Sequence, residues 1–287
     1  MQRLSDQAAG LRVVKDDSKD EGRTKINFHR GDGGPLTIAV TSGKGGVGKT
    51  QVSANVGVAL AKQGELSVLL LDADLGLASL DLALGLQPVN DLRSVLSGQC
   101  KIGDILIEGP CGVKLIPACP GRYEMANIGT KERRALIEAV EEVAEGFDVL
   151  VIDTGAGIGS NAVDFAAYAD EVFLVCTPDP TSLRDAYAMA KVLHRRAGLD
   201  RIQVVANQVV NDAEGAALYD RIDGIVRRFL TLEMKYLGSI PRDEKVREAV
   251  SSGTPFVLGA ASGVAARAIE TIVRRLLPLP STPRQMC

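Results

Sequence analysis

Apolar residues fall in short, dense runs along this chain, with little alternation inside each run. The runs are Leu36–Thr41, Ser67–Leu71, Val113–Ile116, Val149–Ile152, Val172–Cys176, Ile202–Ala206 and Tyr236–Ile240, and most are rich in Val, Ile and Leu. Short continuous runs of this kind suit strands covered on both faces. Longer stretches with helical character separate them, beginning with Val52–Ala61. Strand alternating with helix predicts an α/β fold: a doubly wound, mostly parallel sheet with helices on both faces. Residues 13–34 (VVKDDSKDEGRTKINFHRGDGG) are charged and aperiodic. They predict a flexible linker between a short segment, 1–12, and a domain over 35–277, followed by a tail at 278–287.

Between the first strand and the first helix lies Gly43-Lys44-Gly45-Gly46-Val47-Gly48-Lys49-Thr50. It fits the P-loop pattern in the strand-to-helix setting that the pattern requires. The physics is specific. Glycine-rich backbone N–H groups curl around phosphates at a helix N-terminus, Lys49 neutralises charge, and Thr50 offers its hydroxyl to Mg2+. Lys44, a second cation near the start of the loop, has no task in that account.

Ligands of parallel sheets gather beyond the carboxyl ends of the strands. The polar residues at those ends are Asp72 and Asp74, Asp153, Asn207 and Pro241-Arg242-Asp243. In DVLVIDTGAG the strand delivers Asp153 to the phosphate side, where a carboxylate holds a water of the Mg2+ shell opposite Thr50, a Walker B arrangement. The glycines from 155 to 159 would let the backbone respond to a γ-phosphate. In LLLDADLGLASLD, Asp72 and Asp74 project to the same side of an extended stretch. Phosphoryl transfer is catalysed by positioning and electrostatics, so Asp72 is assigned to the metal's outer shell and Asp74 to the attacking water. The competing reading is a set of turn-forming aspartates that cap strands. The P-loop upstream favours chemistry.

Composition narrows the function. The formal net charge of -3 argues against a globally basic nucleic-acid binder. The five cysteines show no C-x-x-C spacing, and the two histidines are far apart, which speaks against a zinc or iron-sulfur centre and against histidine catalysis. No apolar run reaches the roughly 20 residues that span a bilayer, and MQRLSDQAAG has no signal-peptide core, so a cytoplasmic location is expected.

The loop with Lys44, the DADLGLASLD stretch and DTGAGI together resemble the MinD/ParA family of deviant Walker A ATPases, over roughly Pro35 to Leu277. In that family the extra lysine reaches across a dimer to the partner's ATP phosphates. The resemblance therefore implies that Lys44 acts in trans and that ATP joins two copies. It also implies adenine recognition by Asn207 in VVANQV and by Pro241, Arg242 and Asp243 in SIPRDE. TPDPTSLRDAYA and the N-terminal Asp6-Gln7-Ala8-Ala9-Gly10-Leu11-Arg12 resemble the flagellar site-determining branch, of FlhG/FleN type. There a DQAxxLR segment stimulates a GTPase of the FlhF type, which implies a partner-activating role for Asp6, Gln7, Leu11 and Arg12. Flagellar switch or regulatory proteins are further partners open to this branch.

Residues Gly263 to Leu277 predict an amphipathic helix with Val264, Ala268, Ile269, Ile272, Val273 and Leu276 on one side and Arg267, Glu270, Arg274 and Arg275 on the other. Relatives use such a helix for peripheral membrane contact. This one has no Trp or Phe to anchor it, which favours packing on the core. The leading expectation is an ATP-switched spatial regulator. Its rivals are a ParA-like partition ATPase binding nonspecific DNA, which an acidic chain disfavours, and an iron-sulfur or electron-transfer ATPase, which lacks the cysteines.

Overall fold

The computed structural model describes residues 34–276, except 65, 120, 122–124, 126–127 and 260–262. The segment bearing Asp6, Gln7, Leu11 and Arg12, the linker up to residue 33 and the tail lie outside the described residues. The strands are β1 (Leu36–Ser42), β2 (Val68–Ala73), β3 (Ile107–Glu108), β4 (Lys114–Ile116), β5 (Val149–Ala156), β6 (Glu171–Cys176), β7 (Arg201–Val209) and β8 (Glu233–Pro241). They form one sheet in the order β3-β4-β2-β5-β1-β6-β7-β8. Every pairing is parallel except β3 with β4. All seven predicted runs are strands. The eighth, β3, is two residues at the sheet edge, too short to leave a pattern.

Helices cover both faces: α1 (Lys49–Gly64), α2 (Leu80–Leu84), α3 (Leu92–Leu96), α4 (Thr130–Ala144), α5 (Ser160–Tyr168), α6 (Pro180–Ala197), α7 (Asp212–Phe229), α8 (Glu244–Ser252) and α9 (Val264–Leu276). The strands separate two cores. Ile38, Val40, Leu70 and Val151 pack with Val56 and Leu60 of α1 and with Ile269 and Ile272 of α9. Ala39, Leu69, Leu71 and Ile152 face the other way, with Leu136, Phe165, Met189 and Ile222. Neither strand face meets water, which explains why the runs are continuous rather than alternating.

The chain winds from β1 to one side of the sheet, then returns to build the other. The carboxyl end of β1 therefore lies at the switch point, the place where such sheets bind ligands. β2 and β5 are neighbours in a register that sets Asp72 directly beside Asp153. Two acids far apart in sequence are thus brought together by strand order alone.

The C-terminal helix is part of the core. Ala265, Ala266, Ile269, Ile272 and Val273 are buried, while Arg267, Arg274 and Arg275 are exposed. The buried face differs from the predicted one at its start, where Val264 is exposed and the small Ala265 and Ala266 face inward. The Arg275 guanidinium donates to the carbonyl of Leu237, covering part of the β8 edge. Ile269→Ala or Ile272→Ala should each cost about 2–5 kcal/mol in denaturant melts, the range for truncating a buried aliphatic side chain. Arg274→Ala on the outer face should change stability by less than about 0.5 kcal/mol.

Candidate active site

The P-loop follows β1 and runs into α1, and its geometry requires glycine at several points. Gly46 and Gly48 have φ of 78° and 91°, in the left-handed region that other residues avoid. Gly43 is required for space, since a Cβ there would lie 1.9 Å from the Asp185 carbonyl oxygen in α6. The loop is tied from behind as well. Ser42 Oγ donates to the Lys44 carbonyl at 2.7 Å, the Gly157 amide donates to the Ser42 carbonyl at 2.9 Å, and Asn207 Nδ2 donates to the Val47 carbonyl at 2.7 Å. Lys49 is largely buried at the start of α1.

Beside Lys49 stand the two carboxylates set in register by β2 and β5. Asp153 accepts from Ser53 Oγ at 2.8 Å through Oδ1, while its Oδ2 is buried without a partner. Thr50 Oγ1 lies 3.3 Å from Ser79 Oγ. An orphaned carboxylate oxygen close to the Thr50 hydroxyl suits a Mg2+ ion held through water and phosphate oxygens. No cluster of three or more His, Cys, Asp or Glu positioned to hold a metal occurs among the described residues.

Asp72 is fully buried and accepts three backbone amides: Asp74 at 3.1 Å, Ser79 at 3.0 Å and Leu80 at 3.0 Å. These bonds close the 74–79 loop and bring Ser79 against Thr50. Both Asp72 oxygens are thus engaged by backbone amides. Asp74 stands just past the strand, half-buried, facing Gly155, whose added Cβ would lie 3.6 Å from Asp74 Oδ1. Asp72 and Asp74 thus differ sharply in exposure despite their two-residue spacing. Burial pushes the Asp72 carboxyl up to about 8, and the neighbouring Asp153 adds to the shift. Burial also raises Asp153, to about 6, against the pull of the Lys49 charge and the Thr50 and Ser53 hydroxyls.

Lys44 is turned away from the carboxylates. Its Nζ donates to Asp179 Oδ1 at 3.1 Å and to Thr181 Oγ1 at 2.7 Å, at the start of α6. Asp179 caps that helix through the Ser182 amide at 2.9 Å, with Pro180 in the first turn. Hydrogen bonds from Thr177 and Thr181, the Ser182 amide and Lys44 hold its carboxyl below the usual range. Asp179 and Thr181 lie within TPDPTSLRDAYA, at the start of this helix. The Asp-Pro-Thr-Ser cap is the signal that identifies them as a helix start.

Asn207 and the Pro-Arg-Asp turn come together around a cavity of about 590 Å3, lined also by Gly48, Gln51, Val246 and Phe256. Gln208 adopts φ of 58°, and its backbone is held by the Asn207 side chain at 2.9 Å and by Arg242 Nε at 2.9 Å. Asp243 caps α8 through the Lys245 amide and also accepts the Ala265 amide at the start of α9. Asn207 and Asp243 thus have structural tasks in the wall of this cavity.

Residues 38–256 match the CobQ/CobB/MinD/ParA nucleotide binding domain. The chain belongs to the MinD/ParA family. As a member it binds nucleotide and is an ATPase. It is 43% identical to the antiactivator FleN of Pseudomonas aeruginosa, over 86% of this chain and 89% of that protein. It is 37% identical to the flagellum site-determining protein YlxH of Helicobacter pylori, over 78% and 76% of the two chains. Among solved structures, MinD of Pyrococcus horikoshii with Mg-ADP superposes with a TM-score of 0.71 at 28% identity, over 85% of this chain and 96% of that one. The MinD/ParA likeness agrees with the eight-stranded sheet and with the loop geometry.

Asp72 and Asp153 set a pH dependence of folding. Their folded carboxyls bind protons above the range where the unfolded chain releases them, so their contribution to stability is full below about pH 4 and is lost as pH rises through the folded values. In chelator-containing buffer without nucleotide, these groups should lower the thermal midpoint from pH 5 to pH 8. Asp72→Asn should flatten the slope.

Proposed function

We propose that this chain is an ATP-hydrolysing spatial regulator that dimerises on binding ATP and controls where, or how many, flagella are built. The observation that carries the reading is the likeness, over most of the chain, to a flagellum site-determining protein and to the antiactivator FleN. The site supports it through a P-loop with a second lysine at a half-exposed position. Lys44 and its partner Asp179 have side chains 40% and 42% exposed, so water screens the pair and Lys44 is available to exchange partners.

ATP is the substrate. Gly43 through Thr50 cradle its phosphates, Asn207, Pro241, Arg242 and Asp243 frame the base, and Thr50 with Asp153 would hold Mg2+. Asp72 anchors the 74–79 loop and would contribute to the ion's outer shell. Mg2+, when bound, withdraws charge from the phosphate oxygens. Asp74 orients the attacking water, and Lys44 releases Asp179 to reach the phosphates of a second copy, as a cation supplied in trans does in other phosphoryl-transfer enzymes. Because only the ATP-bound form is joined across the phosphates, ATP shifts the population to dimer and hydrolysis returns it to monomer.

The domain at 35–277 performs this cycle in the cytoplasm. Residues 1–12, on the 13–34 linker, engage an FlhF-type GTPase through Asp6, Gln7, Leu11 and Arg12, since a tethered segment gains effective concentration from its reach.

Light scattering on the slow-hydrolysing Asp74→Ala variant should give a dimer with ATP and a monomer with ADP. Adding Lys44→Ala should leave nucleotide binding intact and abolish the dimer, whereas Lys49→Ala should weaken nucleotide binding itself. A Lys44→Ala protein that dimerises like its parent would remove the trans role. Pull-down of the GTPase should be lost when residues 1–12 are deleted, and retention would sink the partner assignment.

A further inference from the structure

Three glycines lie between Asp153 and α5, at 155, 157 and 159. A loop with that composition is free to move unless something outside it fixes both ends. The first end is fixed by β1, because Thr154 Oγ1 donates to the Val40 carbonyl at 3.1 Å and the Gly157 amide donates to the Ser42 carbonyl. The second end has no side-chain cap, since the N-cap of α5 is Gly159. It is held by Arg133.

Arg133 projects from the first turn of α4 and is 6% exposed. Its Nε donates to Asp164 Oδ2 at 2.5 Å, and Nη1 donates to Asn161 Oδ1 and to the Ile128 carbonyl, both at 3.0 Å. Nη2 reaches Thr130 Oγ1 at 3.5 Å. One rigid, planar group therefore joins the entry to α4 with the first turn of α5. A lysine at this point has neither the fork nor the number of donors. Arg133 also lines a cavity of about 550 Å3 together with Asp74, Gly76, Leu77, Gly155 and Ala156.

We propose that Arg133 is a positioning residue for hydrolysis: by clamping Asn161 and Asp164 it fixes the 155–159 backbone opposite Asp74, without touching the nucleotide. The proposal rests on the reading of Asp74 as the group that orients water. It assigns to α4 a part in turnover that the P-loop and the strand-end carboxylates do not contain. A misplaced wall beside the attacking water costs rate, while the phosphate loop and the base cavity are made by other elements and keep their affinity.

The test uses the full-length chain and steady-state ATP hydrolysis, with nucleotide affinity from a fluorescent ATP analogue and hydrogen exchange read over 155–161. Arg133→Gln should lower kcat by about tenfold to a hundredfold, the scale of an ångström-level misplacement. KM and analogue affinity should stay within about twofold, and exchange over 155–161 should rise. Arg133→Lys should keep the charge and fail to restore kcat. Asn161→Ala, a milder change that serves if Arg133→Gln does not fold, should show the same kcat-only loss at reduced size. Leu136→Ala, buried on the same helix away from the clamp, should lower the melting temperature with kcat per folded molecule unchanged.

A wild-type kcat in folded Arg133→Gln would overturn the proposal. So would losses of kcat and affinity in equal measure, or full rescue by Arg133→Lys. Wild-type hydrolysis in Asp74→Ala would instead remove the reading of Asp74 and leave the Arg133 result to be judged on exchange and kcat alone.

Discussion

A sheet covered on both faces can carry charge at one kind of place, the ends of its strands. Here that constraint brings Asp72 and Asp153 side by side, with Lys49 close by and almost no water. Two acids in that position repel each other and lose solvation, which is unfavourable for an empty protein. The arrangement becomes favourable when cationic charge arrives. On the proposed function, a bound Mg2+ would supply that charge, and occupancy and stability would then be linked.

Backbone amides convert that charge pair into shape. Asp72 gathers three N–H groups and so decides the path of the 74–79 loop. Asp153 leads into the glycine loop, whose far end is fixed from α4. The backbone on either side of Asp74 and Gly155 is therefore set by a buried polar side chain, the Asp72 carboxyl on one side and the Arg133 guanidinium on the other. Neither Asp72 nor Arg133 needs to meet substrate for its loss to be felt there.

The strands and the P-loop were legible in the sequence because their signals are local. Continuous apolar runs report two-sided burial, and a glycine pattern between strand and helix reports a phosphate loop. What could not be read was pairing between distant segments. The two-residue spacing put Asp72 and Asp74 on the same side of the strand, whereas the end of β2 buries one and leaves the other half-exposed. The amphipathic stripe of α9 was visible, yet its first turn faces inward with Ala265 and Ala266, because the approach to the core there takes small side chains. Arg133 gave no signal at all: an arginine in TKERRALIEAV reads as a solvated helix position until Asn161 and Asp164 come beside it. Lys44 was recognised by likeness, and its contact with Asp179 emerged only when β6 was seen next to β1.

That neighbouring also brings the start of α6 against the P-loop so closely that position 43 has no space for a methyl group. The helix has 18 residues, roughly 27 Å at 1.5 Å per residue, and it ends beside His194, which contacts the Leu199 carbonyl and Thr231. Loop and helix have no slack between them. Any side chain larger than hydrogen at position 43 would have to push α6 away, so the glycine that opens the phosphate loop also sets how near an 18-residue helix can stand to it.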